Sequence, residues 1–426
     1  EGQWQKNLKH GNGEFDFYNG DSYKGNWEKD LMHGKGVMNY KNGDSYTGDW
    51  FSGLKQGFGK LIYSNGDVYD GMWFNNQKKG NGVLSYENGD EYDGEWLDNM
   101  KNGKGSFSDI KGNYFIGLWK ENVKSGKGKF TYSDGKVYEG NWENDQINGE
   151  GKMIYATGDI YTGSWLNNQK NGKGNLVSVV DGSEYTGDFT NNLYNGLGIY
   201  KTKIGDFYDG SWVAGKKDGK GTLTTSLGDR YDGSWKNGFK NGYGYIIFSD
   251  GDEYRGQWLN DMIAGEGKYF FVNGDKCEGT FLDGKLNGQG FFNYSNGDKY
   301  IGLFVQGKRE GKGTCEFSNG EKYTGEWKND IINGNGDYVF LNGNHYEGNF
   351  KDGIMNGQGT YTNKNGNLYI GEFKDGKREG LGVFTYENGN KYIGEFKDGT
   401  MDGQGTFTYP NGDKDVGVWR KGKPID

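Results

Sequence analysis

The residues able to do chemistry in this chain are few, and each sits in a repeated slot. His10, His33 and His345 could serve as bases or metal ligands. His10 and His33 share one slot, where other repeats place Gln56, Lys79, Asn102, Ser125 and Asn148, so it reads as a solvated position. His345 precedes Tyr346 in an equally polar slot. Cys277 stands where the repeats put Tyr and Cys315 where they put an apolar residue. Both read as packing, are not spaced as metal ligands, and fit a reducing compartment. Gly-x-Gly pairs such as Gly34-Lys35-Gly36 lack the following helix that a phosphate-binding loop needs. A row of turn carboxylates (Asp21, Asp44, Asp67, Asp90) could attract cations. The expected role is simpler: each closes its own turn by accepting local backbone N–H groups. The residues therefore predict no catalytic group, no metal and no cofactor.

What positions these slots is a repeat. Tyr23-Lys-Gly25-Asn-Trp27, a polar link, Gly34-Lys-Gly36, Met38, Tyr40 and Asn42-Gly43-Asp44 begin again at Tyr46-Thr-Gly48-Asp-Trp50. The Tyr column recurs every 23 residues to Tyr161, steps once by 24 to Tyr185, and resumes its period to position 415. All 13 Trp residues fall in one column, and Phe189, Phe281, Phe304, Phe350, Phe373 and Phe396 fill the rest of it. About eighteen repeats account for nearly the whole of the chain.

Side chains two apart share a face of a strand. Tyr23, Gly25 and Trp27 point one way, as do Gly34, Gly36, Met38 and Tyr40, while Lys, Asn, Asp and Thr fill the alternate positions. Each repeat is thus two strands with an aromatic face and a wet face. Asn-Gly between repeats predicts a tight hairpin turn, and the stretch after Trp a six-residue polar loop. Tyr and Trp columns beside Gly columns let rings cover bare backbone, so one layer buries its own apolar surface. The expected fold is all-β: an elongated, single-layer, twisted antiparallel sheet of tandem hairpins with an aromatic-lined groove. In that groove Tyr23, Trp27, Tyr40, Tyr46, Trp50, Tyr63, Tyr69, Trp73, Tyr86, Tyr92 and Trp96 are the candidate partner contacts.

Composition agrees. Only 32% of residues are hydrophobic, half of them aromatic, and 82 are Gly, too few aliphatics for a compact core of 426 residues. The formal charge is −9 with signs interleaved, which disfavours nucleic acid. No apolar stretch is long enough to span a membrane, and the expected location is cytoplasmic. The chain opens at Glu1 in mid-repeat, which implies sequence upstream and an uncapped strand edge at Gly2-Gln3-Trp4 available for self-association.

The pattern weakens across 175–230. The aromatic four residues after the Gly-x-Gly pair is replaced at Ser178, Thr202 and Thr225, and the extra residue lies between Gly174 and Gly182. An inserted residue in a strand is a β-bulge, which bends a sheet. The organisation expected is an array over 1–174, irregular repeats over 175–230 forming a bend, and a second array over 231–426 with a polar cap.

The Tyr-x-Gly-x-Trp, Gly-x-Gly, Tyr, Asn-Gly-Asp pattern resembles the MORN repeat (membrane occupation and recognition nexus) over essentially all 426 residues. The resemblance implies an elongated twisted sheet with a groove. It does not imply one function, since such arrays occur in membrane tethers, ciliary radial spokes, protist cytoskeletal scaffolds and enzyme-attached modules. The reading favoured is a non-enzymatic scaffold docking protein partners in a cilium, axoneme or cortical cytoskeleton. A peripheral membrane tether would bind anionic lipid through Lys78, Lys79, Lys216, Lys217, Lys377 and Arg378, against the net charge. A regulatory module would need a catalytic domain elsewhere.

Overall fold

The computed structural model describes residues 1–425. These residues are all-β: 38 strands, each antiparallel to its neighbours in sequence, with no helix. The chain divides into two compact units, Glu1–Lys216 and Lys217–Asp426. Each is a meander in a single layer, with no second sheet packed on it.

One repeat shows how the sequence builds them. A seven-residue strand (Ser22–Glu28) carries Tyr-x-Gly-x-Trp, and a nine-residue strand (Leu31–Asn39) carries Gly-x-Gly. Between them lie only Lys29 and Asp30, both at positive φ (49° and 67°), so the hairpin closes on a two-residue turn of the I′ kind. The residues there are mostly Asn, Asp and Gly, which tolerate that conformation. The expected six-residue loop is therefore strand apart from those two residues. The roles of the two links are exchanged: the Asn-Gly link is the longer one. Phe17 to Asp21 connect one repeat to the next, with Gly20 N–H donating to Phe17 O (3.0 Å) and Phe17 N–H to Asp21 O (2.8 Å).

The first Gly of each Gly-x-Gly pair has a specific reason. Tyr23 faces Met38 and Gly25 faces Gly36, but Trp27 faces Met32, so the second strand carries extra residues around Gly34. This is a β-bulge with Gly34 at φ 64°, and it recurs in almost every repeat. On the other side, Gly36 faces Gly48 and Met38 faces Tyr46 with no shift.

The bulge expected near 178 is absent. Gly172 to Val177 pair with Phe189 to Glu184 in unbroken register, and Ser178 N–H donates to Ser183 O (2.8 Å). The extra residue lengthens the connection, where no ladder bond has to be broken to admit it. Thr202 and Thr225 also keep the turn, because each hydroxyl accepts the N–H of Asp206 or Asp229.

Turns are tied to turns. Asn19 Oδ1 accepts Asp21 N–H within its own turn, while Asp21 Oδ1 accepts Lys41 N–H from the next (2.9 Å). Asp44 holds Ser64 and Asp67 holds Glu87 in the same way. The expectation that Asp closes its own turn is corrected: Asn does that, and Asp links repeats. At the opposite edge Asp30 N–H donates to Lys9 O and Asp30 Oδ1 accepts Lys9 N–H.

Candidate functional site

In most repeats a Tyr ring lies across the two glycines of its own hairpin. A Cβ on Gly36 would run into the Tyr23 ring. The Tyr23 hydroxyl donates to Asn26 O (3.0 Å). Trp27 and Trp50 meet the same ring edge-on, at 5.0 and 5.6 Å between centroids. Trp73 Nε1 donates to Gly59 O of the preceding repeat (2.9 Å). Edge-to-face Tyr–Trp contacts repeat in this way along the first unit, each pair worth about 0.5–1.5 kcal/mol beyond area burial.

That packing buries the expected docking residues. Tyr23, Tyr46, Tyr69 and Tyr92 are 0% exposed, and Trp27, Trp50, Trp73 and Trp96 at most 5%. They are the protein's one-sided core, and a partner cannot touch them. Only Tyr40, Tyr63 and Tyr86 of that set are half-exposed. Desolvation and the carboxylates of the flanking turns (Asp21 and Asp44 at Tyr40) push the Tyr40 and Tyr63 phenols up to about 12.

A column that sequence reasoning missed completes this face. Lys55 Nζ stands 4.9–5.1 Å from the centroids of Tyr40, Tyr46 and Trp73. Lys78 repeats this over Tyr63, Tyr69 and Trp96, and Lys101 over Tyr86, Tyr92, Phe107 and Trp119. Burial pushes the ammonium groups of Lys55, Lys78 and Lys101 down to about 8, partly offset at Lys55 by Asp44. Ring faces supply the compensating attraction, about 0.5–2 kcal/mol each. The available signal was substitution: the same slot holds Met32, Ile147, Ile263, Leu286 and Met355, so its stem must cover apolar surface.

The basic pairs considered for lipid are split by strand alternation. Lys78 is buried among rings, and Arg378 caps Tyr369, Phe384 and Phe396 at 5.0–5.7 Å. Lys217 lies over Trp235 (4.7 Å). Lys79, Lys216 and Lys377 are exposed, Lys79 over Phe74 and Lys377 paired with Asp398 (3.2 Å). Within each pair one side chain thus lies over rings and the other faces solvent.

His33 pairs with Glu28 (3.4 Å) and His345 with Asp337 (2.9 Å). Burial pushes the Cys277 thiol up to about 12 and the Cys315 thiol to about 11, far from thiolate reactivity. Among the described residues no group of three or more His, Cys, Asp or Glu is placed to hold a metal.

The open face is the other one. Its floor is the backbone of the glycine columns and its walls are the flanking side chains. In the second unit it forms a trough of about 1140 Å³ whose walls include Ile301, Lys312, Glu326, Asp337, Glu347 and Ile370. In the first unit it forms smaller troughs of about 410–550 Å³, with Lys127, Lys129, Glu139 and Lys152 among the walls of one. Ion pairs cross this face in the first unit: Lys24 with Glu14, Lys35 with Asp49 and Lys173 with Asp188.

Comparison with known proteins agrees with the repeat. The MORN repeat matches eighteen tandem segments from 1–22 to 392–414, leaving out only 180–184, the lengthened connection, between its first and last copies. No curated relative matches the chain in sequence. Among solved structures, the chain is similar to the TCP10 domain of Danio rerio CPAP in complex with a peptide of STIL. There identity is 12%, coverage 56% of this chain and 95% of that one, and the TM-score 0.28. The SAS-4 TCP domain of Drosophila melanogaster with a proline-rich motif of Ana2 gives 16% identity, 42% and 85% coverage and a TM-score of 0.22. Virginiamycin B lyase from Staphylococcus aureus gives 12%, 68% and 93%, and 0.12. Scores this low carry no argument about fold or function.

Proposed function

Since the chain belongs to the MORN-repeat family, a family that generally mediates protein or lipid interaction, we propose that it is a non-enzymatic scaffold docking protein partners. The observation that carries this is the division of labour between faces. Rings and glycines on one face are consumed by the sheet's own packing, whereas the opposite face keeps open troughs with polar and apolar walls. Docking therefore belongs to the Gly-floored face, in place of the buried rings of repeats 23–172. A repeated surface of this kind suits an extended or helical partner segment. The assembly proposed is a cilium, axoneme or cortical cytoskeleton, on family habit and on a composition rich in Asn and Lys with only two Pro.

The test is a photo-crosslinker at Ile301 on the open face and, in a separate variant, at Tyr40 on the ring face, read in detergent-extracted cells. Crosslinks to insoluble cytoskeletal proteins from Ile301 alone support the scaffold. Release of the whole chain with the membranes, and crosslinks to lipid alone, would overturn it.

A further inference from the structure

Toward its C-terminal end the open face of the second unit carries an apolar patch that none of the described residues of that unit covers. Ile370 faces Val383, and Val383 faces Ile393, on three successive strands. Leu381 stands beside them. Ile370 and Ile393 are each 49% exposed and Leu381 is 71% exposed. Contiguous exposed aliphatics of this kind mark an interaction surface. Glu372 and Glu395 flank the patch between Ile370 and Ile393 and the strand-end lysines Lys374 and Lys397, with Lys391 on the far side of Ile393. Glu326 and Glu347 continue along the trough, where Lys312 is the one wall lysine. None of these four glutamates is in an ion pair.

We propose that this patch docks a basic amphipathic helix of a partner protein. This rests on the scaffold reading above and names the partner's chemistry. The spacing favours a helix laid across the strands. Adjacent strands are about 4.8 Å apart, and one helical turn rises about 5.4 Å. A helix with apolar residues at i, i+3 or i+4, and i+7 therefore meets Ile370, Val383 and Ile393 in turn. Lys and Arg on its flanks meet Glu372 and Glu395. Charge complementarity then sets orientation and encounter rate.

The experiment is fluorescence anisotropy on the intact chain. The probe is a labelled 18-residue peptide of Leu and Lys at helical spacing. Comparison probes are a scrambled peptide of the same composition, a Leu/Glu counterpart, and vesicles containing phosphatidylserine. The helical Leu/Lys peptide is expected to bind best, with salt weakening it. Ile370→Lys with Ile393→Lys, and separately Glu372→Lys with Glu395→Lys, should each lower affinity about tenfold or more. Ile116→Lys on the first unit should change it less than about twofold. Circular dichroism confirms that each variant keeps its strands. Equal binding of the Leu/Glu or scrambled peptide, binding to vesicles alone, or indifference to both double variants would overturn the proposal. Failure here together with protein crosslinks at Ile301 would leave the scaffold reading standing, because that experiment does not depend on the partner's charge.

Discussion

The ring face is capped differently in the two units. In the first, the capping slot is basic at Lys9, Lys55, Lys78, Lys101, Lys124 and Lys170. In the second it is more often apolar, at Ile263, Leu286, Ile332, Met355 and Met401 against Lys217, Lys240, Arg309 and Arg378, whereas the first breaks its basic run only at Met32, Ile147 and Tyr194. The ring beneath changes with the cap. The caps preceding Phe281, Phe304, Phe350 and Phe373 are Ile263, Leu286, Ile332 and Met355, whereas Lys55, Lys78 and Lys101 lie over Trp73, Trp96 and Trp119. Trp has the most favourable face for a cation and Phe a weaker one. The pairing is a trend with exceptions, Lys170 over Phe189 and Arg378 over Phe396 on one side and Met32, Ile147 and Met401 preceding Trp50, Trp165 and Trp419 on the other, so one backbone accepts a cationic or an aliphatic roof above either ring.

The largest expected effect is the one the units should share. Gly36→Ala and Gly313→Ala each drive a Cβ into a Tyr ring, of Tyr23 and Tyr300. Each should cost about 3 kcal/mol in urea unfolding, alike in both units. A small loss at either would break the claim that rings lie on bare backbone.

Next comes the cap itself. Lys78→Ala uncovers three rings and should cost about 2 kcal/mol, whereas Lys78→Met should be neutral or stabilising. Met355→Lys, above Phe373, should cost about 1 kcal/mol. If Lys78→Met were as damaging as Lys78→Ala, the ammonium and not the stem would be the stabilising part.

Alkali should act more on the first unit, where burial pushes down Lys55, Lys78, Lys101 and Lys170, than on the second, where it pushes down Lys240. Lys55, Lys78 and Lys101 have folded values near 8, below the unfolded lysine value. Below about pH 8 both states are charged and the fold bears the full cost of burying ammonium. From about 8 to 10 the folded lysines lose protons that the unfolded chain keeps, so stability rises with pH. Above 10 the raised Tyr40 and Tyr63 values reverse the trend, because unfolded phenols ionise first. The melting temperature should climb between pH 7.5 and 9.5, and a Lys55, Lys78, Lys101 triple Met variant should climb less, keeping only the part due to Lys170 and Lys240, which burial also pushes down. A flat intact chain would refute the burial argument.

A smaller effect concerns the ladder's interruption. At Cys277 no Tyr covers Gly279 and Gly290, and Leu286 and Phe304 lean into the space. Cys277→Tyr should therefore raise stability by about 1 kcal/mol, and a drop would mean those neighbours have closed the gap. The smallest is deletion of Val180. Register there is unbroken, so the melting temperature should move by less than about 2 °C. The bend expected over 175–230 is tested on the same variant: a scattering profile identical to that of the intact chain would count against a role for the insertion.

Strand identity and facing were legible because Tyr, Gly and Trp recur at even spacing. The turns were misassigned because Asn-Gly is a strong hairpin signal, while Lys29-Asp30 shows none until its positive φ angles are seen. The aromatic columns were read as an open surface when, in one layer, they are the interior. Asp21 reaches into the next repeat, a partner that sequence proximity hides. The lysine cap read as a polar spacer because its charge is visible in sequence and its aliphatic stem is not.

The links between turns also make this chain a graded mechanical element. Each strand is bonded only to its neighbours in sequence, and each Asp grips only the turn one repeat on. Load applied to an end strand falls on the terminal repeat before any other. Failure of one 23-residue repeat releases about 70 Å of thread, from about 3.4 Å per extended residue less the width of two strands, and leaves the next repeat intact. Under tension such an array pays out in even increments, resisting afresh at each, as a safety line does.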